Sequence, residues 1–210
     1  MKLAFLGDSI TEGYGASSIE LRYVEQVKQM LGCEVINYGI GGTRLARQLV
    51  RSSSSHAHDI DFNMRTILLD KTADKIFVFG GTNDYGHGIA PLGNKGDYDP
   101  FTFHGGVNIL FSTLIGMYGK ENVIILLPLK RFAMNDFKNP VNNCVLEDYV
   151  KIIKYYVDYY NLKYIDLFNE CFPEPDTDAP SEFFTDGLHP NNHGHKIIAE
   201  KICEFIKNDK

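Results

Sequence analysis

Five short apolar runs recur along the 210-residue chain, and after each comes a polar or glycine-rich turn and then a helical pattern. The runs lie at Leu3–Leu6, Glu34–Tyr38, Lys75–Phe79, Asn122–Leu127 and Tyr164–Leu167. Short apolar runs bounded by turn residues read as buried strands, and near-continuous ones suit the interior of a parallel sheet. The intervening segments carry apolar residues at helical spacing. Val24, Val27 and Leu31 form one such set, and a helix is expected over about Phe62 to Leu69. Val107, Leu110, Phe111, Leu114 and Tyr118 form another, then Val145, Tyr149, Ile152, Ile153 and Tyr156, and finally Ile198, Ile202, Phe205 and Ile206. Strand and helix in strict alternation predict a parallel sheet with helices on both faces. No repeat, linker or break in composition interrupts the pattern, so residues 1–210 read as one domain with a full core.

Right-handed crossovers would bring every turn after a strand to the same edge of that sheet. The first of these turns is Gly7-Asp8-Ser9-Ile10-Thr11-Glu12-Gly13. Strand, glycine turn and helix place Ser9 at the carboxyl edge, where open α/β folds put their ligand sites. Its glycine spacing fits neither a dinucleotide nor a P-loop fingerprint. Gly39-Ile40-Gly41-Gly42-Thr43 follows the second strand, Gly80-Gly81-Thr82-Asn83-Asp84 the third, and Asp186-Gly187-Leu188-His189-Pro190 precedes the last helix. Ser17 to Glu20 reads as a capping box for the first long helix, and Gly32 as its stop. Tyr85–Pro100 and Pro128–Pro140 read as long loops, and Ser52–Ser55 as a polar patch.

Net charge is −6, and the Lys and Arg residues are scattered, which argues against a nucleic-acid surface. Arg44, Arg47 and Arg51 read as one solvated helix face. No apolar run approaches the roughly 20 residues of a membrane span. Lys2 is not followed by the apolar segment of a secretory leader, so the expected location is cytoplasmic. Cys33, Cys144, Cys171 and Cys203 lie far apart without a C-x-x-C pair and read as free thiols in a reducing compartment. No cofactor or metal is expected, and the only expected partner is a small-molecule substrate.

The turns at the edge supply a hydroxyl, backbone amides, a side-chain amide, a carboxylate and an imidazole, a set that matches acyl transfer. Ser9 needs a base within hydrogen-bond reach, which His189 would be. His189 needs a partner that fixes its tautomer, and Asp186 stands three residues before it in a glycine-containing turn. An oxyanion needs prealigned donors. The Ser9 amide, the Gly42 amide and the Asn83 side chain are candidates, glycine at 42 allowing close backbone approach. Each piece has a plainer reading. Asp186 would equally serve as a helix cap, as would Asn191 or Asn192, and Asn83-Asp84 is a good turn pair. His193 and His195 are expected on the last helix, past the turn. His87 and His104 have no telling carboxylate partner, although Asp84 is three before His87.

Taken together, Gly7-Asp8-Ser9, Gly42 with its preceding glycines, Gly81-Thr82-Asn83-Asp84 and Asp186-Gly187-Leu188-His189-Pro190 resemble the blocks of the SGNH hydrolases, or GDSL esterases/lipases. The resemblance implies a three-layer α/β/α, flavodoxin-like fold. It implies Ser9 as nucleophile, Ser9, Gly42 and Asn83 as oxyanion donors, His189 as base and Asp186 as its orienting partner. Gly41 departs from the family, many of whose members have serine there; the expected effect is a freer loop. Asp8 is expected to brace the turn. The leading expectation is therefore a metal-independent serine esterase. A metallophosphoesterase would use Asp8, Asn83, Asp186 and His189 as ligands, and a catalytically silent carbohydrate- or acyl-binding protein would use the same fold. Segments 85–102, 128–143 and 170–188 are polar, with separate aromatics at Tyr85, Tyr98, Phe132, Phe137, Phe172 and Phe183. That lining favours short acyl esters, acetyl above all, of a carbohydrate or similar alcohol; a lysophospholipase or lipase is the alternative.

Overall fold

The computed structural model describes residues 1–50, 59–131, 137–173 and 181–209. Arg51, the Ser52–Ser55 patch and Phe132 lie outside them, as do parts of the expected loops at 128–140 and 170–188.

Strand β1 spans Lys2–Gly7, β2 Glu34–Gly39, β3 Lys75–Phe79, β4 Val123–Leu126 and β5 Lys163–Ile165. They form one all-parallel sheet in the order β2-β1-β3-β4-β5, the flavodoxin-like order. The helices are α1 (Ser9–Glu12), α2 (Tyr23–Leu31), α3 (Phe62–Arg65), α4 (Thr82–His87), α5 (Phe103–Tyr118), α6 (Leu146–Tyr160), α7 (Leu167–Glu170) and α8 (Asn192–Asn208).

Side chains alternate across the sheet, as a period of two requires. Ala4, Leu6, Ile76, Val78, Val123 and Ile125 face the layer holding α5 and α6. Leu3, Phe5, Phe77, Phe79, Ile124 and Leu126 face α2 and α8, which pack on each other. Both faces are buried, which is why the strands read as unbroken apolar runs.

The register positions the functional turns. Gly7 pairs with Gly39 of β2 and with Phe79 of β3; Phe79 pairs with Leu126, and Leu126 with Ile165. The strands therefore end in one row, and the turns after Gly7, Gly39 and Phe79 leave from adjacent points of one edge.

Several local expectations are corrected. Ser17 and Glu20 form no capping box. Ser17 Oγ accepts from Asn192 Nδ2 instead, Ser18 precedes a short 3-10 turn over Ile19–Leu21, and α2 starts only at Tyr23, behind an Arg22 that gives it no side-chain cap. The predicted stop holds: Gly32 takes a left-handed conformation at φ 59°. The region expected as a helix to Leu69 is α3 followed by a 3-10 turn over Thr66–Leu68. The loop expected from Tyr85 begins inside α4. Arg44 is not on a solvated helix face: residues 43–50 are irregular, and Arg44 is only 2% exposed. Arg47 donates from Nε to the buried carboxylate of Asp61 at 2.7 Å. Among the described residues, no helix is long and apolar enough to cross a membrane.

Candidate active site

Ser9 opens α1, two residues past the end of β1. Asp8 precedes it as the N-cap, with its carboxylate accepting the Ile10 N–H at 3.0 Å. Burial pushes the Asp8 carboxyl up to about 7, against the pull of that bond and of the Arg65 charge. Its place matches the bracing role expected of it.

His189 arrives from the other end of the chain on the turn before α8. Asp186 shapes that turn. Its Oδ1 accepts the backbone N–H groups of Leu188 at 3.0 Å and His189 at 2.7 Å, and Gly187 takes φ 77°, which favours glycine. Its Oδ2 is left for the His189 ring, with Nδ1 at 2.7 Å. Burial raises the Asp186 carboxyl, but the hydrogen bonds from His189 and Leu188 outweigh it and hold the group below its usual value. The cap of α8 is Asn191, whose Oδ1 accepts from His193 and Gly194, so Asp186 is not the helix cap. His189 Nε2 lies 3.0 Å from Ser9 Oγ. A carboxylate only accepts, so the Nδ1 facing Asp186 carries a proton, and Nε2 is the ring atom that faces the serine hydroxyl.

The second turn is held against the first. Ile40 N–H donates to Gly7 O at 3.1 Å, and Gly41 N–H donates to Glu12 Oε2 at 2.7 Å. A Cβ at Gly41 would come 2.9 Å from that same oxygen. The Gly41 backbone is thus tied to the Glu12 carboxylate, the mobile end of a flexible side chain. Gly42 takes φ 73°. Arg65, nearly buried, donates to Gly7 O at 3.0 Å, to Thr43 Oγ1 at 2.9 Å and to Tyr38 O. One side chain thus ties the ends of β1 and β2 to the Gly42–Thr43 turn.

Asn83 sits in the first turn of α4 and donates from Nδ2 to Thr43 O at 3.0 Å. Asp84 beside it accepts the N–H groups of Leu45 and Ala46, each at 2.9 Å, and burial pushes its carboxyl up to about 7. Asp84 therefore pins the irregular segment following Thr43 and does not pair with His87. Among the described residues the N–H groups of Ser9 and Gly42 have no hydrogen-bond partner, and Asn83 keeps a second amide hydrogen.

Of the other histidines, His195 is fully buried on α8; Tyr23 N–H donates to its Nδ1, and its Nε2 faces Tyr14 O. His193 is exposed beside Glu182, and His104 faces the Tyr156 hydroxyl. No motif points to Tyr14, yet its ring lies 4.4 Å from the His189 ring, centroid to centroid, and it is 61% exposed. The expected lining aromatics mostly pack inward. Tyr85 lies in the core against Phe137 and Tyr149, and Phe172 against Phe183 and Phe184. Tyr98 is exposed against Tyr160. No three His, Cys, Asp or Glu side chains gather into a metal-holding group among the described residues.

Fold and site together define a flavodoxin-like α/β/α protein with a serine hydroxyl, an imidazole and a carboxylate in hydrogen-bonded series at the carboxyl edge of its sheet. The chain belongs to the GDSL-like lipase/acylhydrolase family, whose model matches residues 5–197. No curated protein matches it by sequence. Among solved structures it is similar to a protein from Lactobacillus plantarum, at 26% identity and a TM-score of 0.81 over 99% of this chain and 96% of that one. It is similar in fold to a lipase/acylhydrolase from Enterococcus faecalis (23% identity, TM-score 0.66, 99% and 95% covered). It is also similar in fold to an acetyl xylan esterase (23% identity, TM-score 0.68, 98% and 100% covered).

Proposed function

We propose that the protein is a serine esterase that hydrolyses short acyl esters through an acyl-enzyme. The observation that carries this reading is the series Ser9 Oγ to His189 Nε2 at 3.0 Å and His189 Nδ1 to Asp186 Oδ2 at 2.7 Å. Ser9 Oγ attacks the ester carbonyl while His189 Nε2 takes its proton, and Asp186 stabilises the imidazolium. The carbonyl oxygen becomes an oxyanion that accepts from the Ser9 and Gly42 N–H groups and the second Asn83 amide hydrogen. The intermediate expels the alcohol, which takes the proton from His189. Water then attacks the acyl-Ser9 ester with His189 again as base, releasing the acid and restoring the hydroxyl.

A short acyl group, acetyl above all, fits the polar composition of segments 85–102, 128–143 and 170–188. Of the aromatics expected to stack on a sugar, Tyr85, Phe137 and Phe172 pack against other rings of the protein and do not serve that role. The exposed Tyr14 ring beside His189, an apolar body with a polar hydroxyl tip, offers a face for a sugar or similar polar alcohol. The similarity to an acetyl xylan esterase agrees with this, although at that identity it speaks for the fold alone. The test is kcat/KM over acetyl, butyryl, octanoyl and palmitoyl esters of one leaving group, followed by acetate release from acetylated sugars. The maximum is expected at acetyl. Each buried methylene contributes about 0.8 kcal/mol, or roughly fourfold, so a rise to octanoyl or beyond would overturn the short-acyl reading in favour of a lipase.

A further inference from the structure

His87 and Asn83 stand four residues apart on α4, so their side chains share a face. His87 Nε2 lies 3.2 Å from Asn83 Oδ1, and His87 Nδ1 lies 3.2 Å from Arg44 Nη1. Arg44 is only 2% exposed, and its Nη2 donates to Asp59 Oδ1 at 2.9 Å. A guanidinium has donors and no acceptor. Opposite Arg44, His87 Nδ1 must therefore accept, and the neutral ring carries its one proton on Nε2. Nε2–H then donates to Asn83, so the atom it faces is the amide oxygen. This settles which way the Asn83 amide points: its oxygen to His87, one N–H to Thr43 O, the other left for a ligand. Burial, then the Arg44 and Arg131 charges, push the His87 imidazole down to about 4, so the ring is neutral at ordinary pH.

We propose that Arg44 and His87 are positioning residues that lock the Asn83 amide with its free N–H toward the oxyanion, Arg44 acting by choosing the His87 tautomer. This rests on Asn83 being an oxyanion donor. The reversed amide would set two donors against each other at His87 and a carbonyl oxygen against the Thr43 carbonyl. An unlocked amide would also sample orientations that present its oxygen to the developing negative charge. The arrangement supplies the preorganisation on which such electrostatic stabilisation depends.

The test combines a spectrum with a double-mutant cycle on acetyl ester hydrolysis. Two-bond proton–nitrogen spectra of the ¹⁵N-histidine-labelled wild-type protein at pH 7 should show His87 as the neutral Nε2–H form; an Nδ1–H form or an imidazolium would overturn the proposal without any variant. Asn83→Ala should lower kcat about 10²–10³-fold. His87→Leu should lower kcat about tenfold with KM little changed, the size of one lost hydrogen bond. His87→Gln, whose amide can still donate to Asn83, should recover most of that loss. In the Asn83→Ala background, His87→Leu should have no further effect on kcat. An equal loss in both backgrounds would make the role merely structural and sink the proposal. Unchanged kcat in His87→Leu with Asn83→Ala impaired would sink it while leaving Asn83 as a donor. Unchanged kcat in Asn83→Ala would remove the oxyanion role itself.

Discussion

His195 gives the fold a pH dependence that can be worked from its position. The side chain is 0% exposed, between the Tyr23 N–H on its Nδ1 and the Tyr14 carbonyl on its Nε2. Burial pushes the imidazole down to about 4, mainly because a charged ring would lose its hydration. A histidine in the unfolded chain titrates near 6.5. Between these values the unfolded state binds the extra proton, so this contribution to stability is fully present above about pH 6.5 and is lost as pH falls toward 4. From pH 7 to pH 5 the loss from this one group is about 2 kcal/mol. Other buried groups titrate too: His87 in the same sense, and Asp8 and Asp84, raised to about 7, in the opposite one. A variant that lacks only His195 cancels them. Urea unfolding of wild type and His195→Gln at pH 7 and pH 5 should show the stability gap between them shrinking by about 2 kcal/mol at the lower pH. Parallel pH dependence in the two proteins would refute the reasoning. The consequence reaches the site, because His195 holds the Tyr14 backbone whose ring packs on His189.

Other expectations are more direct. His189→Ala should cost at least about 10³-fold in kcat/KM, and Asp186→Asn a comparable or smaller amount, measured on p-nitrophenyl acetate; full activity in His189→Ala with loss in His193→Ala would show the wrong imidazole had been chosen. Glu12→Ala removes the acceptor of the Gly41 N–H and should lower kcat about tenfold with little change in KM; an unchanged kcat would mean the turn keeps its shape without that bond. Arg65→Met leaves the Gly7 and Tyr38 carbonyls without their guanidinium donors and should destabilise by about 3 kcal/mol, read by urea unfolding; a loss under about 1 kcal/mol would show that the tie is weak.

The layered fold was legible because short apolar runs and helical spacing are written locally, in runs such as Ile76–Phe79 with a glycine turn after them. The gathering of Ser9, Asn83 and His189 followed from topology, since a parallel sheet leaves all its strand ends at one edge. What the sequence concealed were long-range pairs. Arg44 reads as a solvated cation, and nothing near it in the chain announces that His87, 43 residues on, accepts its hydrogen bond. Arg65 and Glu12 bind backbone atoms of other turns, contacts without a side-chain signature. The capping box at Ser17 failed because Asn192, 175 residues away, takes up the Ser17 hydroxyl. Tyr14 follows the first motif by a single residue and became visible only once the last loop was folded against it.

The central claim is that Ser9 Oγ is the atom acylated by substrate. The most direct measurement is kcat/KM of cleanly purified Ser9→Ala on p-nitrophenyl acetate, with its urea midpoint compared against wild type. Loss of a single hydroxyl in this turn should move stability little, while activity should fall by at least about 10³-fold. Ester turnover within tenfold of wild type in the folded variant would contradict the account.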